Sequence, residues 1–117
     1  MTVYEQIERG IKYLEKNLSE DIYLKDIAFE AGMSTRSFSD YFWAITGFTY
    51  KKYLIKRRLS ESVLELSEKK YNILNIALNF GYSSNEAFSR SFKKEFNISP
   101  NSYRELRPTL ATLDQIK

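Results

Sequence analysis

Apolar residues recur at helical spacing along most of this chain, and the pattern breaks at short polar turns. Tyr4, Ile7, Ile11, Leu14 and Leu18 stripe one face of a helix predicted over residues 3–17. Glu5 and Glu8 near its start and Lys12 and Lys16 toward its end suit the helix dipole, and Glu8 and Lys12 form an i,i+4 pair. A turn over 17–21 leads to a short helix striped by Leu24, Ile27, Ala28 and Ala31 and ended by Gly32. Ser34 caps a third helix, from Thr35 to about Thr46, with Phe38, Tyr41, Phe42 and Ile45 inward and Gly47 just past its end. Thr49 caps a long helix to about Glu68, with Tyr50, Tyr53, Leu54, Val63, Leu64 and Leu66 apolar and Lys51, Lys52, Lys56, Arg57 and Arg58 crowding its first half. After a turn over Lys69–Asn72, Ile73, Ile76, Ala77 and Phe80 stripe a helix that Gly81 ends. Ser83 and Ser84 are both available to cap the next, on which Phe88, Phe92 and Phe96 recur every four residues. Asn97 suits its end, and Ser99-Pro100 is an N-cap followed by Pro at the first helical position. Beyond Arg107-Pro108, the tail TLATLDQIK has weak helical character and reads as the chain's end or a linker stub. The expected fold is all-α, with about seven helices.

The same grammar occurs twice. Leu24, Ile27, Ala28 and Gly32 match Ile73, Ile76, Ala77 and Gly81 at an offset of 49. One inserted residue after Tyr82 moves the offset to 50, where Ser34, Phe38, Ser39 and Phe42 match Ser84, Phe88, Ser89 and Phe92. The match continues through Thr49/Ser99 and Tyr53/Tyr103. A short helix, a Gly turn and a helix with one polar face make a helix-turn-helix unit. The chain is therefore a tandem repeat of one such unit. The expected segments are a first subdomain (1–48), a linker helix (49–68), a second subdomain (69–107) and a tail (108–117).

Composition narrows the chemistry. No Cys and no His are present, which leaves carboxylates, Lys and Tyr for enzyme chemistry and removes the commonest zinc ligands. No Gly-rich phosphate loop and no paired carboxylates stand out, so neither an enzyme, a cofactor nor a metal site is expected. No apolar run approaches membrane-spanning length and residues 1–20 lack a signal-peptide core, so no membrane partner is expected and the expected location is the cytoplasm. Charge is divided unevenly. Residues 1–46 hold 5 Lys+Arg against 8 Asp+Glu, net −3, whereas residues 69–107 hold 7 against 3, net +4. That asymmetry points to a polyanion partner for the later half.

The run from Ile73 through Ile76, Ala77, Gly81, Tyr82, Ser84, Phe88, Arg90, Phe92, Lys93, Phe96, Ser99, Pro100 and Tyr103 to Arg104 resembles the second helix-turn-helix of the AraC/XylS transcription regulators. Ile27, Ala28, Gly32, Ser34, Phe38, Phe42, Gly47, Tyr53 and Arg57 resemble the first, so the likeness covers roughly residues 4–107. It implies a DNA-binding regulator, and an activator in the family manner, that sets two recognition helices into successive major grooves. The linker helix then fixes their separation; at about 1.5 Å per residue it would be roughly 30 Å long, against a groove repeat of about 34 Å. Implied partners are double-stranded DNA, RNA polymerase, and an effector domain if the chain belongs to a longer protein. The family's alkylation-repair relatives need acceptor cysteines, which this chain lacks.

The resemblance places base contacts at the start of each recognition helix and one turn into it. The candidates are Thr35, Arg36, Ser39 and Asp40 on the first, and Asn85, Glu86, Ser89 and Arg90 on the second. Arg36 and Arg90 can bond guanine bidentately, Asn85 can pair with adenine, and Glu86 can accept from cytosine N4. The candidates for the phosphate backbone are Lys51, Lys52, Arg57, Lys93, Lys94 and Arg104, with the helix starts at Ser34 and Ser84. Bland readings stand beside these. Arg36/Asp40 and Glu86/Arg90 are i,i+4 pairs of a kind found on any solvated helix, and Glu86 completes a capping box with Ser83. Family members often carry a basic residue where this chain has Asp40, and Lys where it has Trp43. Trp43 is expected to pack against the linker helix. The acidic first unit keeps open a second function, a protein-interaction module that retains the fold with weak or lost DNA binding.

Overall fold

In the computed structural model, residues 1–68 and 70–106 are described. Lys69, Arg107 and the tail 108–117, with the expectations placed on them, lie outside the described residues. All regular structure in the described part is helical: α1 (Val3–Lys16), α2 (Leu24–Ala31), α3 (Thr35–Thr46), α4 (Tyr50–Leu66), α5 (Ile73–Asn79), α6 (Asn85–Phe96) and α7 over residues 100–106.

Ser34, Ser84, Thr49 and Ser99 cap as their sequence signals indicate, and Thr2 and Asn72 are two further caps. Thr2, Ser34, Asn72 and Ser84 each accept, through a side-chain oxygen, the backbone N–H three residues on, which satisfies one otherwise unpaired donor per helix. Thr49 does the same for Lys52 at 3.2 Å, and Ser99 for Ser102 at 3.1 Å. Helix α6 is capped by Ser84 and not by Ser83, so the Ser83–Glu86 capping box is not used. Left-handed residues stand at or just past four helix ends, at Gly32 (φ 71°), Gly47 (φ 79°), Gly81 (φ 89°) and Asn97 (φ 63°).

The chain divides into two compact units, Met1–Arg57 and the part from Arg58 onward. The first buries Ile7, Leu14, Leu18, Ile27, Ala28, Ala31, Phe38, Phe42 and Leu54. In the second, Leu59, Leu66, Ile73, Ile76, Ala77, Phe80, Phe88 and Phe92 form the core. The repeated positions Ile27/Ile76, Ala28/Ala77, Phe38/Phe88 and Phe42/Phe92 are all buried. The aromatic edges also repeat. Phe42 meets Tyr53 at 5.5 Å between ring centroids, and Phe92 meets Tyr103 at 6.2 Å, both edge-on.

Helix α4 serves both units. Its first half, with Leu54 and Tyr53, closes the first core as α7 closes the second with Tyr103. Its second half opens the second unit as α1 opens the first. Buried Ile7, Gly10 and Leu14 have counterparts in buried Leu59, Ser62 and Leu66 at an offset of 52. The repeat thus extends further back than the helix-turn-helix itself.

Tyr4, Tyr41 and Ile45, expected on inward stripes, point outward, and Leu64 and Trp43 are exposed as well. Tyr4 is 72% exposed, because α1 begins a turn before Ile7 and its buried line is Ile7, Gly10 and Leu14. On α3 the core takes Phe38 and Phe42; Tyr41 and Ile45 lie on the flank and stay exposed, lining a shallow cavity with Val3, Tyr4 and Ala44. Leu64 lies off the buried line of Leu59, Ser62 and Leu66 and is exposed. Trp43 is 62% exposed and not packed against the linker helix, since it follows Arg36, Ser39 and Asp40 at helical spacing on the outer face of α3.

Candidate nucleic-acid interface

The helices α3 and α6 are each presented by the same local device. At the first turn, Gly32 adopts a left-handed conformation, and the amide of Met33 donates back to Ala28 at 2.9 Å. Gly81 (φ 89°) repeats this, with Tyr82 donating to Ala77 at 3.0 Å. Side chains from the preceding helices reach these turns. Gln6 Nε2 donates to the Gly32 carbonyl at 3.2 Å. At the equivalent place Arg58 Nη1 lies 3.1 Å from where a Cβ on Gly81 would stand. A left-handed residue without a Cβ is needed at Gly81 both for φ and for that approach.

The turns lead into Ser34 and Ser84, whose hydroxyls accept the amides of Ser37 and Ala87, each at 3.1 Å. The remaining first-turn amides of α3 and α6 are donors toward which an anion is drawn by the helix dipole. On α3, Thr35, Arg36, Asp40 and Trp43 are exposed and Ser39 is half-buried. Arg36 Nε lies 3.9 Å from Asp40 Oδ2, a loose pair with side chains 93% and 73% exposed. On α6, Glu86, Arg90, Lys93 and Lys94 are exposed, while Asn85 and Ser89 are half-buried. Ser89 donates its hydroxyl to Asn85 Oδ1 at 3.1 Å. Glu86 and Arg90 do not form the ion pair that their spacing allows, which leaves both side chains unpaired on the surface.

The candidates for the phosphate backbone divide in two. Lys51 and Lys52 are exposed in the first turn of α4, where cations oppose the helix dipole. Arg57 instead faces inward. Its Nη2 meets Glu15 Oε1 at 2.8 Å, its Nε reaches both Glu15 oxygens, and Tyr53 Oη donates to Glu15 Oε2 at 3.3 Å. Burial, and then the Glu15 charge, raise the Tyr53 phenol above its ordinary value. Arg104 is likewise turned to its own unit: Nε donates to the Leu66 carbonyl at 3.0 Å and Nη2 to that of Glu68 at 3.5 Å. These partners are about forty positions away in sequence, so local periodicity carried no sign of them. Among the described residues no cluster of carboxylates could hold a metal ion, and no helix is long and apolar enough to cross a membrane.

A family model described as a helix-turn-helix domain matches residues 27–106. An AraC-type DNA-binding domain protein from Chromobacterium violaceum has the same fold, with a TM-score of 0.83 and 29% identity over 89% of this chain and 93% of that one. The chain belongs to the AraC/XylS family. The DNA-binding domain of AdpA, solved with a target DNA, is also similar, with a TM-score of 0.77 and 26% identity over 89% of this chain and 95% of that one. The probable transcription factor PqrA of Proteus vulgaris is 41% identical over 81% of this chain and 80% of its own length. The Transposon Tn10 TetD protein of Escherichia coli is 37% identical over 84% and 71%. The transcriptional activator RhaS of Mannheimia succiniciproducens is 34% identical over 88% of this chain, which spans only 37% of RhaS. The AraC-family relatives include transcription regulators both near this chain's length and much longer.

Proposed function

We propose that this protein is a sequence-specific regulator of transcription that sets α3 and α6 into successive major grooves of one duplex. The supporting observation is the pair of equivalent helices, each capped by a serine and each presenting hydrogen-bonding side chains outward from a buried Phe pair. Arg36 and Arg90 read guanine, and Asn85 and Ser89 act beside Arg90. Lys51, Lys52, Lys93 and Lys94 neutralise phosphates, with the starts of α3 and α6. Activation is the sense favoured by the likeness to RhaS, with RNA polymerase as partner, and the cytoplasm is the compartment. In a longer protein of the RhaS kind, an effector domain would accompany this one.

The second unit carries most of the phosphate neutralisation. Arg90→Ala therefore loses about 1–3 kcal/mol of discrimination at one base pair, while Lys94→Ala weakens binding to all duplexes alike and lowers the salt slope by about one. Binding to an operator and to mutated operators across a salt series separates the two; identical behaviour of both variants would sink the assignment. A protection footprint confined to one helical turn would remove the two-groove reading.

A second reading rests on unit one, where Asp40 lies against the only cation of α3 and Trp43 stands exposed beside them. A protein-interaction module would keep such a face and show no steep salt dependence on random duplex.

A further inference from the structure

The geometry points to Ser89 as a positioning residue that holds the Asn85 side-chain amide with its N–H edge toward the base pairs, so that the second unit demands a hydrogen-bond acceptor there. This rests on the proposed reading of α6 as a recognition helix.

Asn85 is the first residue of α6, immediately after the cap Ser84, and Ser89 lies one turn further along the same face. The Ser89 hydroxyl donates to Asn85 Oδ1 at 3.1 Å, and both side chains are half-buried. That bond occupies one lone pair of the amide oxygen and favours the orientation present, in which Oδ1 faces the hydroxyl and Nδ2 is directed away from it. Among the described residues Nδ2 has no hydrogen-bond partner and no buried side-chain nitrogen is left unsatisfied, so Nδ2 reaches the surface. What α6 offers at this point is therefore an outward N–H donor on a pre-set rotamer.

In the major groove the bases offer acceptors at guanine N7 and O6, adenine N7 and thymine O4, whereas cytosine offers only its N4 donor. A fixed amide N–H therefore accepts guanine, adenine or thymine at its contact and rejects cytosine. Free rotation of the amide would blur the choice, since the oxygen could turn outward and accept from cytosine N4 instead. The first unit has Thr35 where the second has Asn85, so this reading belongs to α6 alone.

The test uses the whole chain and a panel of duplexes with each base in turn at each operator position. Asn85→Ala identifies the contacted base pair by the preference it relaxes. Ser89→Ala is expected to relax the preference at that same base pair by roughly two- to tenfold, the worth of one hydrogen bond. Ser89→Thr, which keeps the hydroxyl, is expected to retain it. The double variant should discriminate no worse than Asn85→Ala alone. Asn85→Asp, with oxygens in place of the amide N–H, should turn the preference toward cytosine. A Ser89→Ala effect at a different base pair, effects that add in the double variant, or no effect at all would each overturn the positioning role. Failure of the unmodified chain to retain any duplex would instead remove the DNA-binding reading beneath it.

Discussion

At the scale of single residues, close packing decides what the sequence pattern could not. Gly10 lies on the buried face of α1 although it is not apolar, and the ring of Phe38 occupies the space its side chain would need. A Cβ there would stand 2.5 Å from Phe38 Cε2 and 3.4 Å from Ile27 Cγ2. Phe38 is fully buried and cannot swing away. Gly10→Ala should therefore lower stability, since overpacking costs about 1–3 kcal/mol while the gain in helix propensity returns at most about 1. At the equivalent place in the second unit, Ser62 donates back to the Leu59 carbonyl at 2.6 Å, and its carbon is already accommodated. Ser62→Ala should stay within about 1 kcal/mol of the unmodified protein. Thermal unfolding followed by circular dichroism compares the two; equal midpoints for Gly10→Ala and the parent would refute the packing account. A 3.6-residue stripe names the apolar residues facing a partner, but not where the partner ends. Tyr4, Tyr41 and Ile45 fit their stripes and still stand in solvent.

At the scale of elements, the helices, caps and repeat were legible in the sequence because each is written within a few residues. The Ser34 and Ser84 caps, the glycine turns and the Phe spacing are all local signals. The double use of α4 was not legible, because its second half repeats α1 through Leu59, Ser62 and Leu66 with little identity to Ile7, Gly10 and Leu14. Nor were the anchors that attach α4, Glu15 to Arg57 and Glu65 to Asn79, since each joins residues far apart in sequence. The second anchor is testable by pH. Burial raises the Glu65 carboxyl above its ordinary value and Glu68 adds to this, against the bond donated by Asn79. A carboxyl raised in the folded state favours folding while protonated. That contribution is fully present below the ordinary Glu value near 4.5 and is lost as pH rises through the folded-state value. Glu65→Gln keeps an oxygen to accept from Asn79 and removes the partly buried charge. It should stabilise the protein at pH 7 and make little difference at pH 4 in denaturant titrations. A stability difference of equal size at both pH values would show that charge is not its cause.

At the scale of the whole molecule, one scaffold is used twice with opposite surface chemistry. Arg36 and Asp40 on α3 correspond to Glu86 and Arg90 on α6, so the charge order along the helix is inverted. In α6 the acid lies in the first turn, where the dipole favours it; in α3 the first turn carries Arg36 and no acid. A cation kept where the helix itself disfavours it suits a ligand-facing role better than a stabilising one. Asp40 offsets that cation loosely, at 3.9 Å between two well-exposed side chains, so little stability is at stake. Its effect should appear in binding. Asp40→Asn removes one negative charge from the face proposed to enter the groove and releases Arg36 from its partner. Affinity for random duplex should rise, and the salt slope should steepen by up to about one. Competition between operator and random duplex across a salt series reads both quantities together. If neither moves, α3 does not face the duplex, and the interaction-module reading of the first unit takes its place.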